Sequence, residues 1–404
     1  MTIFGYEVFA IIGFMIAAYA IVANDAIQTL GTFLASNSKR SWVTLWCFAC
    51  AIILAVMAYG WFAYDGDIAF DRLNQIPYPE NGIQWWHALP PLALLVLTRF
   101  GVPVSTTFLV LTIFALTGGA ATEGVMESML IKSALGYLVA FGAGFLVWLI
   151  ISRMFERWIS KTTAADHGSG FWGIPAVVAV ISVIIYLLVN GPVFPDIANA
   201  NWIWVGATLA FSFAVAYLTR NLNTWVILQW VSTGFLWSQW LIQDLANIFV
   251  FLPRETVVDA NGDIQVTFSL TMLIFATLLM IVLHAIIFRA RGGEIQKIVL
   301  SKTNTTDIRA ATIVDFIYAI VLMYFKELND IPMSTTWAFL GLIAGRELAI
   351  AFVAALRDKI KALWDVATDA IRALIGLAVS VILAIALPAV AQGQVPGFMA
   401  GLLP

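Results

Sequence analysis

Charge is what this 404-residue sequence has least of: Asp, Glu, Lys and Arg together make up 11%. That is too little to solvate the outside of a water-soluble fold of this length. The net charge of −3 is spread over short loops with no basic stripe, which excludes nucleic acid as a partner. His87, His167 and His284 stand far apart, and each reads as a satisfied or interfacial imidazole rather than a metal ligand. Cys47 and Cys50 sit three apart on one face of an apolar segment. They read as small packed hydrophobes rather than a disulfide or metal pair, and carry no message about redox compartment. What fills the space instead is apolar: 61% of the residues are hydrophobic and 16 are Trp. Runs of about 20 apolar residues, enough to cross a hydrocarbon layer of ~30 Å, recur along the whole chain rather than only at its start. The medium is the lipid bilayer.

Spans are expected at approximately 5–35, 41–64, 127–152, 172–190, 201–219, 223–251, 268–290 and 365–391. Two further apolar regions, 87–119 and 308–350, are interrupted midway at "RFGVPVSTT" and "KELNDIPMSTT". A helix running through Pro103 or Pro332 would lose a backbone hydrogen bond and clash with its preceding turn. Each region is therefore expected to form a re-entrant hairpin of two half-helices, with Ser-Thr-Thr opening the second half. Proline before a helix start and Ser or Thr at its cap suit an N-terminus. Non-helical backbone at membrane depth is tolerated only beside protein or a watery cavity, so the hairpin tips should line a site.

Basic residues give an orientation. With both termini outside, the inner loops hold most of the 21 Lys and Arg, including Lys39, Arg40, Arg153, Arg157, Arg289, Lys302 and Arg357. The outer loops hold little beyond Arg72, Lys132 and Arg254, beside the acids Asp65, Asp67, Asp71, Glu80, Glu255, Asp259 and Asp263. The first hairpin then enters from outside and the second from inside.

The two halves repeat. Asp25 in "VANDAIQTLGT" precedes the first Pro-x-Ser-Thr-Thr, and Asp244 in "LIQDLANIFVFL" precedes the second, with opposite sidedness. The expected architecture is an all-α polytopic membrane protein, an inverted-repeat transporter with about eight full transmembrane helices and two re-entrant helical hairpins. Its units would be a first repeat at 1–158, connecting helices at 159–220 and a second repeat at 221–404. Paired half-helix N-termini and the hydroxyls of Ser105, Thr106, Thr107, Ser334, Thr335 and Thr336 offer donors suited to an oxyanion. Asp25 and Asp244, acids expected within the bilayer, each call for a cation or a proton. An anion beside two acids needs accompanying cations, and coupled symport follows from the charge count.

These motifs resemble the PiT family of inorganic phosphate transporters, whose repeats typically read GANDVANA-x-GT and P-x-STT. The first copy keeps Ala23, Asn24, Asp25, Gly31 and Thr32, the second Asp244, Ala246 and Asn247. Arg99 matches a basic residue often found ahead of the family's proline. The resemblance implies that Asn24, Asp25, Asp244 and Asn247 serve sodium as coupling ion, that the hairpin hydroxyls bind phosphate, and that the protein forms a homodimer in the cell membrane. The chain departs from the family at Gln28 and Gln243, where Asn is usual; both are carried here as candidate substrate contacts. Leu241 and Ile242 replace small residues, and Phe108 and Trp337 replace a frequent His.

Phosphate is thus expected first and sulfate second, with sodium favoured over protons. A passive anion channel would ignore cation gradients. An intramembrane aspartyl protease would want Tyr-Asp and Gly-x-Gly-Asp, which are absent, so no enzyme activity is expected. Arg99 and Lys326 read equally as snorkelling or anion-attracting residues. Asp369 and Arg372 are expected to pair locally, and Trp85, Trp86, Trp158 and Trp172 to anchor at the interface. Asp315 and Glu347 receive no role.

Overall fold

The computed structural model describes all residues except 1, 4–5, 77, 101, 103, 118–123, 164–172, 191–200, 259–263, 303–304, 329 and 393–404. Pro103, His167, Trp172, Asp259 and Asp263 therefore lie outside the described residues. The chain opens with a two-stranded ribbon, β1 (Thr2–Ile3) and β2 (Tyr6–Glu7), followed by α1 (Val8–Ile21) and α2 (Ile27–Ser36), joined by a π turn at Val22–Ala26. Next come α3 (Trp42–Ala63), α4 (Leu89–Arg99), a π turn at Thr107–Leu111, α5 (Thr112–Thr117) and α6 (Val125–Lys161). Then follow α7 (Ile174–Asn190), α8 (Trp202–Thr219) and α9 (Leu222–Phe249). An antiparallel ribbon, β3 (Glu255–Val258) with β4 (Ile264–Thr267), leads to α10 (Leu270–Arg289) and α11 (Gly293–Leu300). The chain continues through α12 (Ile308–Leu328) and α13 (Thr335–Ala349), a π turn at Ile350–Ala354 and α14 (Lys359–Gln392). The two short ribbons are the exception to the all-helical expectation.

Eight helical stretches among the described residues are long and apolar enough to cross a membrane: 8–36, 42–63, 125–161, 202–219, 270–289, 308–328, 335–354 and 359–390. They are not the expected eight. The 172–190 segment forms only the 17-residue α7. The 223–251 segment is helical as α9, but the buried Gln229, Gln239, Gln243, Asp244 and Asn247 make it too polar to qualify. Both arms of the second interrupted region qualify instead.

Both interruptions are real. Helix α4 ends at Arg99, with Pro90 and Pro91 in its first turn where a missing N–H costs nothing, and helix resumes only at Thr106. The first region's arms are short, but α12 and the 335–354 stretch run 21 and 20 residues, so they are not half-helices. Unbroken apolar sequence on either side of the tip is the reason. Between them the chain doubles back. The Tyr318 hydroxyl donates to the Thr335 carbonyl at 2.8 Å, ten residues before α12 ends. The extended strand through Met333 therefore returns about 15 Å along α12 before α13 begins. That places the start of α13 at mid-height, and these two arms are the most enclosed of the eight, 78% and 83% buried.

Glycine sets how closely α13 is held. A Cβ on Gly341 or Gly345 would overlap the backbone of α6 at Tyr137 or Phe141, and one on Gly144 would overlap Leu342. Backbone-to-backbone contact of this kind suits helices that meet within lipid. A buried ion cluster extends the same seam: Arg346 pairs with Glu156 at 2.9 Å and Glu347 at 3.0 Å, while Arg357 bridges Glu347 and Asp365. Glu347 thus has a structural partner set that its sequence position did not suggest.

Several surface expectations are corrected by packing. Trp86 is buried and stacked on His87, and Trp158 lies buried beneath the Arg309 guanidinium at 4.2 Å, so neither anchors at an interface. Asp369 binds Lys302 at 2.5 Å and reaches Arg372 only at 3.9 Å. Lys326 pairs with Asp330 at 3.0 Å. His87 accepts from the Gln84 N–H, and the His284 ring bonds the Met280 carbonyl. The cysteines are free thiols.

Candidate functional site

Each hairpin tip is closed by its own serine. Ser105 Oγ accepts from the Phe108 N–H and Ser334 Oγ from the Trp337 N–H, both at 3.2 Å. The serine oxygen satisfies one of the orphan donors of a helix start, and this is why Ser-Thr-Thr opens a helix in both copies. With the serine fixed, the two threonines that follow project from the first turn. All six hydroxyl-bearing residues are buried.

The tips hold each other reciprocally. Thr107 Oγ1 donates to the Met333 carbonyl at 3.0 Å, and its counterpart Thr336 Oγ1 lies 3.2 Å from the Val104 carbonyl. Thr106 donates to Asp25, while its counterpart Thr335 donates to Asp244 at 2.5 Å. Thr336 also reaches Asp25 at 3.1 Å. Equivalent threonines of the two Pro-x-Ser-Thr-Thr motifs therefore make matching hydrogen bonds, and each motif acid is bonded by the threonine at the same place in its own copy. Phe108 and Trp337 meet beside the tips with ring centroids 5.6 Å apart.

The amides divide into two groups. Asn24 Nδ2 donates to Asp25 at 2.7 Å and to the Val104 carbonyl at 2.9 Å. Asn247 Nδ2 donates to Asp244 at 3.0 Å and reaches Thr106 and Thr107 at 3.1 and 3.2 Å. Gln28 reaches Asp25 only at 3.5 Å. Gln243 points elsewhere, donating to the Leu322 carbonyl at 2.8 Å and accepting from Arg72 at 2.5 Å. Of the sequence-derived set, Gln243 alone touches no hairpin hydroxyl or motif acid among the described contacts. The oxygens Asn24 Oδ1, Gln28 Oε1 and Asn247 Oδ1 are buried without a hydrogen-bond partner among the described residues. Unpartnered amide oxygens next to carboxylates are the donor set a hard monovalent cation takes. No cluster of three His, Cys, Asp or Glu suited to a metal occurs among the described residues, so amide, hydroxyl and carbonyl oxygens would have to carry any ion.

Three features escaped the sequence reading. Arg72 and Lys132, assigned to outer loops, are buried, and both donate to the Ile331 carbonyl behind the second tip, at 3.2 and 2.7 Å. A signal was present: Ile68, Ala69, Phe70, Leu73 and Ile76 around Arg72 are too apolar for an exposed loop, and all are buried. The second feature is the π turn carrying Asn24 and Asp25, which side-chain periodicity cannot reveal. The third is Asp315, a buried acid that accepts from Thr32 and Thr233, each at 2.5 Å. From it a relay runs through Gln229 (3.0 Å to Thr233) and Asn37 (2.9 Å to Gln229) to Arg40 (3.1 Å). Arg40 borders a cavity of about 1100 Å³ that Lys39, Lys161, Arg291 and Asp307 also line.

No family model matches the sequence, and no curated protein matches it either. Among solved structures the fold is similar to that of "The sodium-dependent phosphate transporter", with a TM-score of 0.56 and 16% sequence identity. The match covers 96% of this chain and 98% of the other. At that identity the likeness shows a shared fold over nearly the full length.

Proposed function

We propose that this chain is a cation-coupled secondary symporter of a small inorganic oxyanion, phosphate before sulfate, with sodium as the coupling ion, working by alternating access and without enzymatic activity. It sits in the cell membrane as a homodimer, with its Lys- and Arg-rich loops inside, its termini outside and its first hairpin re-entrant. The observation that carries the reading is the reciprocal seating of two hydroxyl-tipped hairpins around two buried acids. The fold likeness to a sodium-dependent phosphate transporter supports it.

The chemistry follows from the hydroxyl inventory. A threonine hydroxyl has one proton and two lone pairs. Thr106, Thr335 and Thr336 give that proton to a motif acid in this arrangement. When cations neutralise Asp25 and Asp244, the same hydroxyls are released to donate to an oxyanion while their lone pairs face the ions. The anion and the cations thereby stabilise each other's binding, and neither crosses alone. An oxyanion bound alone would meet two carboxylates and be repelled.

Uptake of labelled phosphate or sulfate into proteoliposomes, driven in turn by sodium and pH gradients, tests this. Sodium-driven phosphate accumulation is expected. Asp244→Asn should abolish it while membrane insertion stays normal, and wild-type accumulation by that variant would overturn the assignment.

A further inference from the structure

The two acid sites are built alike but are not charged alike. The hydrogen-bond partners of both acids are neutral: Thr106, Thr336, Asn24 and Gln28 around Asp25, Thr335 and Asn247 around Asp244. Amide oxygens without a hydrogen-bond partner among the described residues stand beside both, those of Asn24 and Gln28 at Asp25 and that of Asn247 at Asp244. At Asp244 the residue corresponding to Asn24 is Gln243. Its longer side chain carries the amide oxygen to the Arg72 guanidinium, 2.5 Å away. A second guanidinium nitrogen of Arg72 contacts the Ile331 carbonyl at 3.2 Å, and the group lies within electrostatic range of the Asp244 carboxylate. Carbonyl oxygen, amide oxygen and a nearby carboxylate are what a coordinated cation would take from this half of the site. Arg72 takes them with a charge that cannot leave.

Arg72 is delivered by a shaped loop. Asp67 accepts from the Ala69 N–H at 2.7 Å and the Asp71 N–H at 2.6 Å. Phe70 and Asp71 then adopt positive φ angles of 57° and 64°, which turn the chain inward at the next residue. The left-handed region is unfavourable for such side chains and is held only where surrounding contacts demand it. Phe70 is buried and packs on Tyr64 with ring centroids 5.2 Å apart. The other acids near Arg72 are Asp330, already bridged by Lys326, and Glu327.

Resting on the symport reading above, we infer that Arg72 is a resident cation of the second acid site, so that one mobile cation, held by Asn24, Asp25 and Gln28, suffices for each anion carried. Asp25, Asp244 and Arg72 sum to a charge of −1, since Lys132 and Lys326 around the guanidinium are offset by Asp330 and Glu327, and a single sodium ion cancels it before the anion enters. Without the guanidinium the pair would stand at −2 and call for two.

Counting ions tests this. Wild-type protein in detergent should bind about one ²²Na⁺ per chain, and proteoliposome uptake of ³²P-phosphate should rise with sodium at a Hill coefficient of about one. Arg72→Gln should raise the coefficient and the ²²Na⁺ to ³²P ratio by about one, with weaker apparent sodium affinity, while Arg72→Lys stays near wild type. Two ions bound per wild-type chain, none bound, or an Arg72→Gln variant with unchanged sodium dependence would each overturn the inference. The wild-type binding count decides the matter even where Arg72→Gln does not fold. Wild-type uptake driven by sodium at two ions per phosphate would sink this inference alone, whereas no cation-driven anion uptake at all would sink the symport reading beneath it.

Discussion

Thr107 and Thr336 sit at the same place in opposite hairpins: Thr107 bonds the Met333 carbonyl, while Thr336 lies between Asp25 and the Val104 carbonyl, which Asn24 also bonds. Replacing either with Val keeps the shape and removes the hydroxyl: Thr107→Val orphans the buried Met333 carbonyl, at a cost of ~1–3 kcal/mol, and Thr336→Val costs less because Asn24 still bonds the Val104 carbonyl. Because each hydroxyl belongs to one tip and each carbonyl to the other, the Thr107→Val and Thr336→Val effects should not add. A coupling of more than about 0.5 kcal/mol in thermal unfolding of the double variant is expected. Additive losses would mean that the tips are held independently. Thr336→Val should also weaken transport more, since Thr336 bonds Asp25 as well. At this scale the sequence was informative wherever a motif occurred twice. Ser105, Thr106, Asp25 and their counterparts stand out because repetition separates a candidate site from an ordinary polar residue in a membrane helix. Arg72 occurs once; the apolar residues from Ile68 to Ile76 mark its loop as buried, but not the distant partners that the guanidinium reaches.

Helix α13 shows what a packing element contributes beyond its motif. Its first turn carries the Thr335 and Thr336 hydroxyls, and the next turns are pressed onto α6 so closely that Gly341 and Gly345 admit no side chain. Gly345→Ala should therefore cost about 1–3 kcal/mol, through overpacking that a rigid backbone cannot relieve. Thermal stability in detergent would fall, with a parallel loss of transport because the tip itself is displaced. An alanine variant of full stability would show that the two backbones can separate without loss. The small residues spaced four apart at Gly136, Ala140 and Gly144 and at Gly341 and Gly345 were there to read. A proline-interrupted apolar region marks the tip of its hairpin, whereas the length of the arm behind the tip is set by packing. The apolar run through 354 continues past the expected end of the hairpin, and only the fold reveals that both arms of this region are long enough to cross.

For the molecule as a whole, the question is which parts move together, and the contacts divide them. The reciprocal tip bonds join both hairpins, the motif acids join them to α1, α2 and α9, and the glycine seam with the Glu156–Arg346 pair joins α6 to α13. Under the proposed alternating access, a unit of both hairpins and both acid-bearing helices would carry α6 with it, because α6 cannot slide on α13 without overlapping its backbone. Helix α14 is attached differently. It meets the first tip where Gly376 faces Val104, and ion pairs from Lys302 and Arg357 hold Asp369 and Asp365. Ion pairs near a helix end can exchange partners during a motion, whereas a glycine seam cannot. If α14 belongs to the static frame, a short cross-link between cysteines at Lys302 and Asp369 should arrest phosphate uptake. One between cysteines at Arg153 and Val353, where α6 meets the π turn after α13 at 3.4 Å, should leave uptake largely intact. Both pairs would be built in a background with Cys47 and Cys50 replaced by Ala, and uptake compared before and after bridging in the same vesicles. Arrest by the α6 bridge would remove α6 from the moving unit, and continued uptake with the α14 bridge closed would remove α14 from the frame.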